Sequence, residues 1–405
     1  MHRSFPSSAS PPARPVLHRR SLLALSAAGA LAAADAALAI MPDRPIRPAA
    51  ARRPLEQEVE AAPPAVIRFG GPGRSHENQR MWGLLEIARS QGFLESTLRD
   101  TPAGAAGVRL DYSGFATPAM VGEALTNGNL DFGGQGELIA LLSRRAGSDT
   151  SLLMPNSRLE NAYLVVPPDS PIRTLADIRN KRIAYSRGRY INIQVLRILA
   201  DHGMSERDFI PVNMDPATAA SMLASHAIDG IFDGSQLALP VRDSGLGRIV
   251  YNTRTTPVET AQTGLFARRA FVAHYPQTTL AVVRAMVRAA RWASLPQNRP
   301  ALMESWVYGS RNAARDVAED LGPGDLIGRT SPLIDPFVLS QYHHTQDLAI
   351  GAGLMDGPVD IEAWMDRRFL DRALNDEGLT TYWPRFDAQG VADRPFIPAV
   401  AEGGQ

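Results

Sequence analysis

The chain contains no cysteine. That excludes disulfides, thiolate zinc sites, iron–sulfur clusters and cysteine nucleophiles together. Lysine is almost absent: Lys181 is the only one among 42 basic residues. Arginine forks suit anionic ligands, but a bias spread over the whole chain locates no site. An excess of either charge is also missing, because 42 basic residues face 42 acidic ones. A general nucleic-acid binder needs a basic footprint, so that class is excluded. Past the N-terminal region, no stretch approaches the roughly 20 apolar residues of a membrane span. No short-period repeat marks a solenoid. What remains is a globular composition: 405 residues, 44% hydrophobic and 21% charged. That is enough for two or three domains with a sizeable core.

The first 39 residues read as an export signal. Arg14 and His18-Arg19-Arg20 form a basic region, and a small-apolar run follows from Ser21 to Ala39, interrupted by Asp35. Ala37-Leu38-Ala39 has the small-x-small form of a signal-peptidase site. Arg19-Arg20 before Ser21-Leu22-Leu23 resembles the twin-arginine signal of bacterial export. A charge within the run makes it a poor permanent span. The expected product is a soluble periplasmic protein, mature from about Ile40. Residues 40–64 are rich in Pro, Ala and Arg with no apolar period, which predicts a disordered linker.

From Val66 the pattern turns to alternating strands and helices. Strands are predicted at Val66–Phe69, Val108–Tyr112, Leu130–Gly133 and Leu152–Met154, with helices between them. A second α/β series follows. Its strands are Ala162–Val166, Arg182–Tyr185, Phe209–Asn213, Ile228–Phe232 and Arg248–Tyr251, with a short capped helix at Thr174–Ile178 and a longer one starting near Asn192. After Tyr251 the pattern reads as mostly helical to Trp306. Two α/β units in series suggest parallel-rich sheets, two lobes and a cleft. In such sheets ligands sit beyond the carboxyl ends of the strands. Those ends carry Gly70-Gly71-Pro72-Gly73, Gly133-Gly134-Gln135-Gly136, Ser186-Arg187-Gly188 and Asp233-Gly234-Ser235.

Several segments resemble periplasmic solute-binding proteins of ABC importers. Leu175 to Ala184 is similar to their "L-x-D-L-x-G-K-x-I-A" segment, with Asn180 in place of the glycine. Asn tolerates a left-handed backbone, so the turn survives. Leu130 to Gly136 resembles the "D-F-G-x-x-G" segment of the subgroup that binds nitrate, taurine and aliphatic sulfonates. Phe271 to Pro276 is similar to its "F-x-x-x-H-P" helix, with Tyr275 where His is frequent. Gly353-Leu354-Met355 with Pro358-Val359-Asp360 resembles its "G-L-x-x-x-P-V-D" stretch. The resemblance implies an α/β, two-lobed periplasmic-binding-protein-like fold (type II) with a ligand cleft between the lobes. It implies lobe 1 at 65–160 and 253–385, lobe 2 at 161–252, and a C-terminal tail at 386–405. It also implies a monomer that hands a small organic anion or zwitterion to the membrane permease of an importer, without a cofactor or metal.

The residues themselves fit an anion cleft. A buried anion must replace its lost water with donors, and helix N-termini supply free N–H groups. The candidate ligand-binding residues are therefore those before the helices: Arg74, Ser75 and His76; Gln135 and Gly136; Arg187, Gly188, Tyr190 and Asn192; and Asp233 at the end of a second-lobe strand. Arg187 is either an anion clamp or a solvated turn residue. His76 either donates to an anion or caps its helix. Glu137 either starts its helix and points away or recognises an amine, and Asp233 raises the same choice. Trp82, Trp292 and Trp306 lie in helical patterns and are expected in the core. An enzyme on the same fold is the main alternative. Desulfinases related to sulfonate-binding proteins use a cysteine near the first β-to-α turn, and this chain has none. Ser75-His76 offers a nucleophile and a base, but adjacent side chains rarely align and no orienting acid is evident. A metal receptor is disfavoured too: His343-His344 is the only His pair, and helix neighbours diverge by about 100°. A sensor, or a receptor for another transporter class, has the same binding physics.

Overall fold

The computed structural model describes residues 54–55, 58–60, 62–73, 81–307, 313–322 and 326–396. Among these residues, ten strands form two five-stranded sheets. The first contains β1 (Val66–Pro72), β2 (Arg109–Phe115), β3 (Phe132–Gly136), β4 (Thr150–Glu160) and β10 (Ala261–Arg268), in the order β2-β1-β3-β10-β4. The second contains β5 (Tyr163–Val166), β6 (Arg182–Tyr185), β7 (Ile210–Asn213), β8 (Gly230–Asp233) and β9 (Arg248–Asn252), in the order β7-β6-β8-β5-β9. The chain crosses between sheets twice, at 160–162 and at 253–260.

The sheets are mixed rather than parallel-rich. β1 pairs in parallel with β2 and β3, whereas β10 runs antiparallel to both β3 and β4. In the second sheet β6 is parallel to β7 and β8, and β5 is antiparallel to β8 and β9. β10 corrects the expectation of a helical stretch after Tyr251. Six of its eight residues are buried, on both faces, so no alternation announces it. The glycine-rich ends are corrected as well: Gly70 to Pro72 and Gly133 to Gly136 are strand, not turn.

Local chemistry accounts for other elements. Thr174 and Asp177 form a capping box at the short helix Leu175–Ile178. Asn180 takes a φ of 60°, the left-handed turn foreseen for it. The core of the first sheet joins Phe69, Phe132, Phe266 and Trp364 with Val282, Met286 and Ala289 of the helix Pro276–Ser294. Trp306 is buried there, and Trp82 and Trp292 pack against it.

The stretch expected to be a disordered linker is docked where it is described. Leu55 is buried in the first core. Glu60 accepts from Thr278 N at 2.9 Å and from Thr278 Oγ1 at 2.7 Å. A carboxylate there complements the positive end of the 19-residue helix Pro276–Ser294. Glu58 pairs with Arg368 at 2.7 Å. The C-terminal stretch is docked too, up to Phe396: Phe386 N donates to Asp335 Oδ2 at 3.1 Å, and Phe396 lies 5.4 Å from the Tyr382 ring. Among the described residues, no helix is long and apolar enough to cross a membrane. The proposed export signal lies outside the described residues.

Candidate ligand-binding site

One helix organises the region between the sheets. α1 (Tyr190–Asp201) follows β6 after the turn Ser186–Arg189. Its faces enter two cores: Ile193 and Leu196 join the first, and Ile191, Val195, Ile198 and Leu199 join the second. Toward its C-terminal end, Arg197 is fully buried and pairs with Glu137 at 2.8 Å. Glu137 opens the helix Glu137–Arg145 that follows β3. Arg197 also donates to the Thr260 and Gln341 carbonyls and to Thr345 Oγ1. Burial pushes the Glu137 carboxyl up, and the Arg197 charge pulls it back. Of the two readings of Glu137, the structure therefore takes the one in which it points away from a ligand.

The N-terminal end of α1 meets the ends of β3 and β8. A Cβ on Gly136 would stand 3.9 Å from Tyr190 Cβ. A Cβ on Gly234 would stand 2.3 Å from the Tyr190 hydroxyl oxygen, so a side chain there would have to push that hydroxyl aside. Asp233, 5% exposed, accepts from Gly234 N at 2.7 Å through Oδ1. Burial pushes its carboxyl up, and the nearby Arg189 charge opposes that. Burial likewise raises the Tyr190 phenol, and Asp233 adds to the effect. Arg189 precedes the helix without capping it, and its guanidinium lies 5.7 Å from the Tyr190 ring centroid.

The other sequence candidates fall as follows. Arg74, Ser75 and His76 lie outside the described residues. Gln135 does not face a cleft: it is buried and its Nε2 donates to the Pro118 carbonyl at 3.2 Å. Asn192 is buried and closes the turn by accepting from Gly188 N at 3.3 Å. Gly188 is required by its φ of 73° rather than by close approach, since nothing lies within 4 Å of a Cβ there. Arg187 takes the surface-turn position that was one of its two readings. Its guanidinium pairs with Glu206 at 3.0 Å and is 48% exposed, while its N–H donates to Asn213 Oδ1. An exposed pair of this kind contributes about 0–1 kcal/mol. Arg187→Ala is therefore expected to leave thermal unfolding nearly unchanged and to shift the affinity for a small sulfonate by less than about threefold, as read by calorimetric titration.

Sequence reasoning missed the buried network near Tyr190. Asp320 accepts from Tyr163 Oη at 2.6 Å and from Asn161 Nδ2 at 3.0 Å, and pairs with Arg329 at 2.9 Å. Glu160 accepts from Trp82 Nε1 at 2.9 Å, and Arg329 stands 3.9 Å from it. These partners are up to 159 residues apart, so no local pattern signals them. His343 pairs with Glu362 at 2.9 Å on the surface. Among the described residues no group of three or more His, Asp or Glu is arranged to hold a metal ion.

Two sheets joined by two crossings, with the ends of β3 and β8 meeting the start of α1, define a two-lobed binding-protein fold. Comparison with known proteins agrees. The family described as NMT1/THI5 like matches residues 104–298. A protein of Escherichia coli (strain K12) described as an aliphatic sulfonates-binding protein is 29% identical over 146 residues. That match spans 35% of this chain and 43% of the relative's length. The crystal structure of the periplasmic sulfonate-binding protein SsuA from Methylobacillus flagellatus KT superposes with a TM-score of 0.71 at 25% identity, covering 81% of this chain and 99% of that one. The desulfurization enzyme DSZB shares the fold with a TM-score of 0.57 at 20% identity, covering 78% of this chain and 100% of that one. The chain is similar to aliphatic-sulfonate-binding proteins in sequence and in fold.

Proposed function

We propose that the protein is an exported solute-binding protein. It captures a small organic anion or zwitterion of the sulfonate class and delivers it to the permease of an ABC importer. The observation that carries this reading is the convergence of the β3 end, the α1 N-terminus and the β8 end around Tyr190. Free N–H groups at a helix start attract anions, and the relatives that bind sulfonates share the fold. The lobes are the two sheets with their helices, and segments 160–162 and 253–260 serve as the hinge. Leu159, beside the first crossing, holds a φ of 56°, a conformation costly for a non-glycine residue. Binding is favoured over catalysis because the chain lacks the cysteine that the desulfinase resemblance requires. The twin-arginine-like leader routes the protein to the periplasm, where it acts as a monomer.

Small-angle scattering tests the reading. Adding ethanesulfonate or 2-aminoethanesulfonate is expected to reduce the radius of gyration and raise the melting temperature by linkage. An unchanged profile and melting temperature at millimolar concentrations of both would overturn it. Sulfite release from either compound would shift the reading to an enzyme.

A further inference from the structure

Two helices rooted in different cores meet through their charges. α2 (Ser235–Asp243) follows β8 and buries Ala238, Leu239 and Val241 in a core of the second sheet. α3 (Ala313–Leu321) buries Val317 and Leu321 in the core of the first sheet. Arg242 of α2 grips Glu319 of α3 with both prongs, at 2.5 and 2.9 Å. Arg315 of α3 pairs with Asp243 of α2, and Arg242 also reaches Asp243 at 2.7 Å. The order Arg315, Asp243, Arg242, Glu319 is thus one unbroken chain of alternating charge between the helices. A two-pronged arginine–carboxylate pair fixes orientation as well as distance. The Arg242 guanidinium holds the Glu319 carboxyl below its usual range, so the pair stays charged at neutral pH. At the C-terminal end of α3, Asp320 accepts from Asn161 in the first crossing and from Tyr163 at the start of β5. One end of α3 is therefore tied to the joint between the sheets, while its charged side chains engage α2. The four side chains are 22% to 60% exposed. Exposed pairs of this kind do little for folding, but an equilibrium between two arrangements of a folded protein responds to small energies.

We infer that Arg242, Asp243, Arg315 and Glu319 form an ionic latch between the lobes, one that fixes their spacing before any ligand arrives and yields to ionic strength. The latch needs only the two-lobed fold and goes beyond the solute-binding reading, so its failure leaves that reading untouched. Its partly exposed charges are screened by salt, whereas the apolar roots of both helices are not. Raising the salt therefore loosens the contact between α2 and α3 without unfolding either lobe.

Spin-label distances in the ligand-free protein decide this. The chain has no cysteine of its own, so Met120→Cys with Met222→Cys places one label in each lobe. Met120 is 44% exposed on the helix Pro118–Thr126, whose Val121 and Leu125 join the first core. Met222 is 36% exposed on the helix Pro216–Ala224, whose Ala219 and Leu223 join a core of the second sheet. In this labelled protein, Arg242→Met and Glu319→Gln are each expected to raise the ratio of longer to shorter distances about fivefold, with urea midpoints nearly unchanged. Combining them is expected to add little, because both break the same contact. Salt at about 1 M is expected to lengthen the distances when the four charges are intact, and to do so less in the combined variant. Distances unchanged in both single variants overturn the latch, and so do two effects that simply add. Should a variant fail to fold, the salt series on the labelled protein decides alone: distances that do not lengthen between about 50 mM and about 1 M overturn the latch.

Discussion

Arg197→Met is expected to destabilise the protein by about 3–5 kcal/mol, the range for removing one partner of a buried ion pair. Arg197 is 0% exposed and Glu137 1% exposed, so neither charge has water to fall back on. The substitution leaves Glu137 with the Gln262 N–H at 3.3 Å and no countercharge. It also strips donors from the Thr260 and Gln341 carbonyls. Burial already pushes the Glu137 carboxyl up, so the variant is expected to relieve part of the cost by taking up a proton there. The double variant Arg197→Met with Glu137→Gln removes both charges and is expected to recover part of the loss. Urea denaturation of the four proteins gives the coupling. A loss below about 1 kcal/mol in the single variant would mean that the pair does not hold α1 to the first lobe.

A comparable loss is expected from Asp335→Ala. Asp335 and Arg158 are both 0% exposed and meet at 3.0 Å. The carboxylate performs three tasks at once. It neutralises Arg158, it caps the helix Pro336–Gly351 by accepting from Val338 N at 3.1 Å, and it accepts from Phe386 N at 3.1 Å. Arg158 is enclosed by the Phe337 and Phe386 rings, at 5.6 Å and 5.0 Å. Burial lowers its pKa while Asp335 holds it up. Losing the countercharge costs about 3–5 kcal/mol, and losing the cap about 1 kcal/mol more. Asp335→Asn keeps acceptors for the cap and the Phe386 N–H, so it is expected to lose less. Equal urea midpoints for the two variants would show that the charge carries the whole effect.

Local signals were readable and distant ones were not. The Thr174–Asp177 box, the Asn180 turn and strand β6 all depend on residues within a few positions of each other. The start of α1 lies two residues earlier than the sequence placed it. Placing it at Asn192 made Arg187 the charged residue of the turn, whereas the helix begins at Tyr190 and Arg189 is the residue beside it. Tyr and Ile at its first two positions are middling helix formers, so propensity does not mark the boundary. Asp233 was readable as a strand-end acid, but its burial was not, because that depends on what surrounds it in space. The pairs Arg158–Asp335 and Arg197–Glu137 join residues that no period relates. β10 was hidden by burial on both faces.

The position of β10 also sets an order of events. In the first sheet β4 has one neighbour, β10, and β3 meets β10 on one side. Residues 163–252 lie between them and contain every strand of the second sheet. As the chain is made, the second lobe has all its strands by residue 252, while β3 and β4 still present open hydrogen-bonding edges. Pairing across so long an insertion is slow, and open edges invite association with other chains. The vulnerable interval in this protein's maturation thus falls between completion of the inserted lobe and arrival of Ala261–Arg268, a stretch that lies outside the cleft's chemistry and closes the larger sheet.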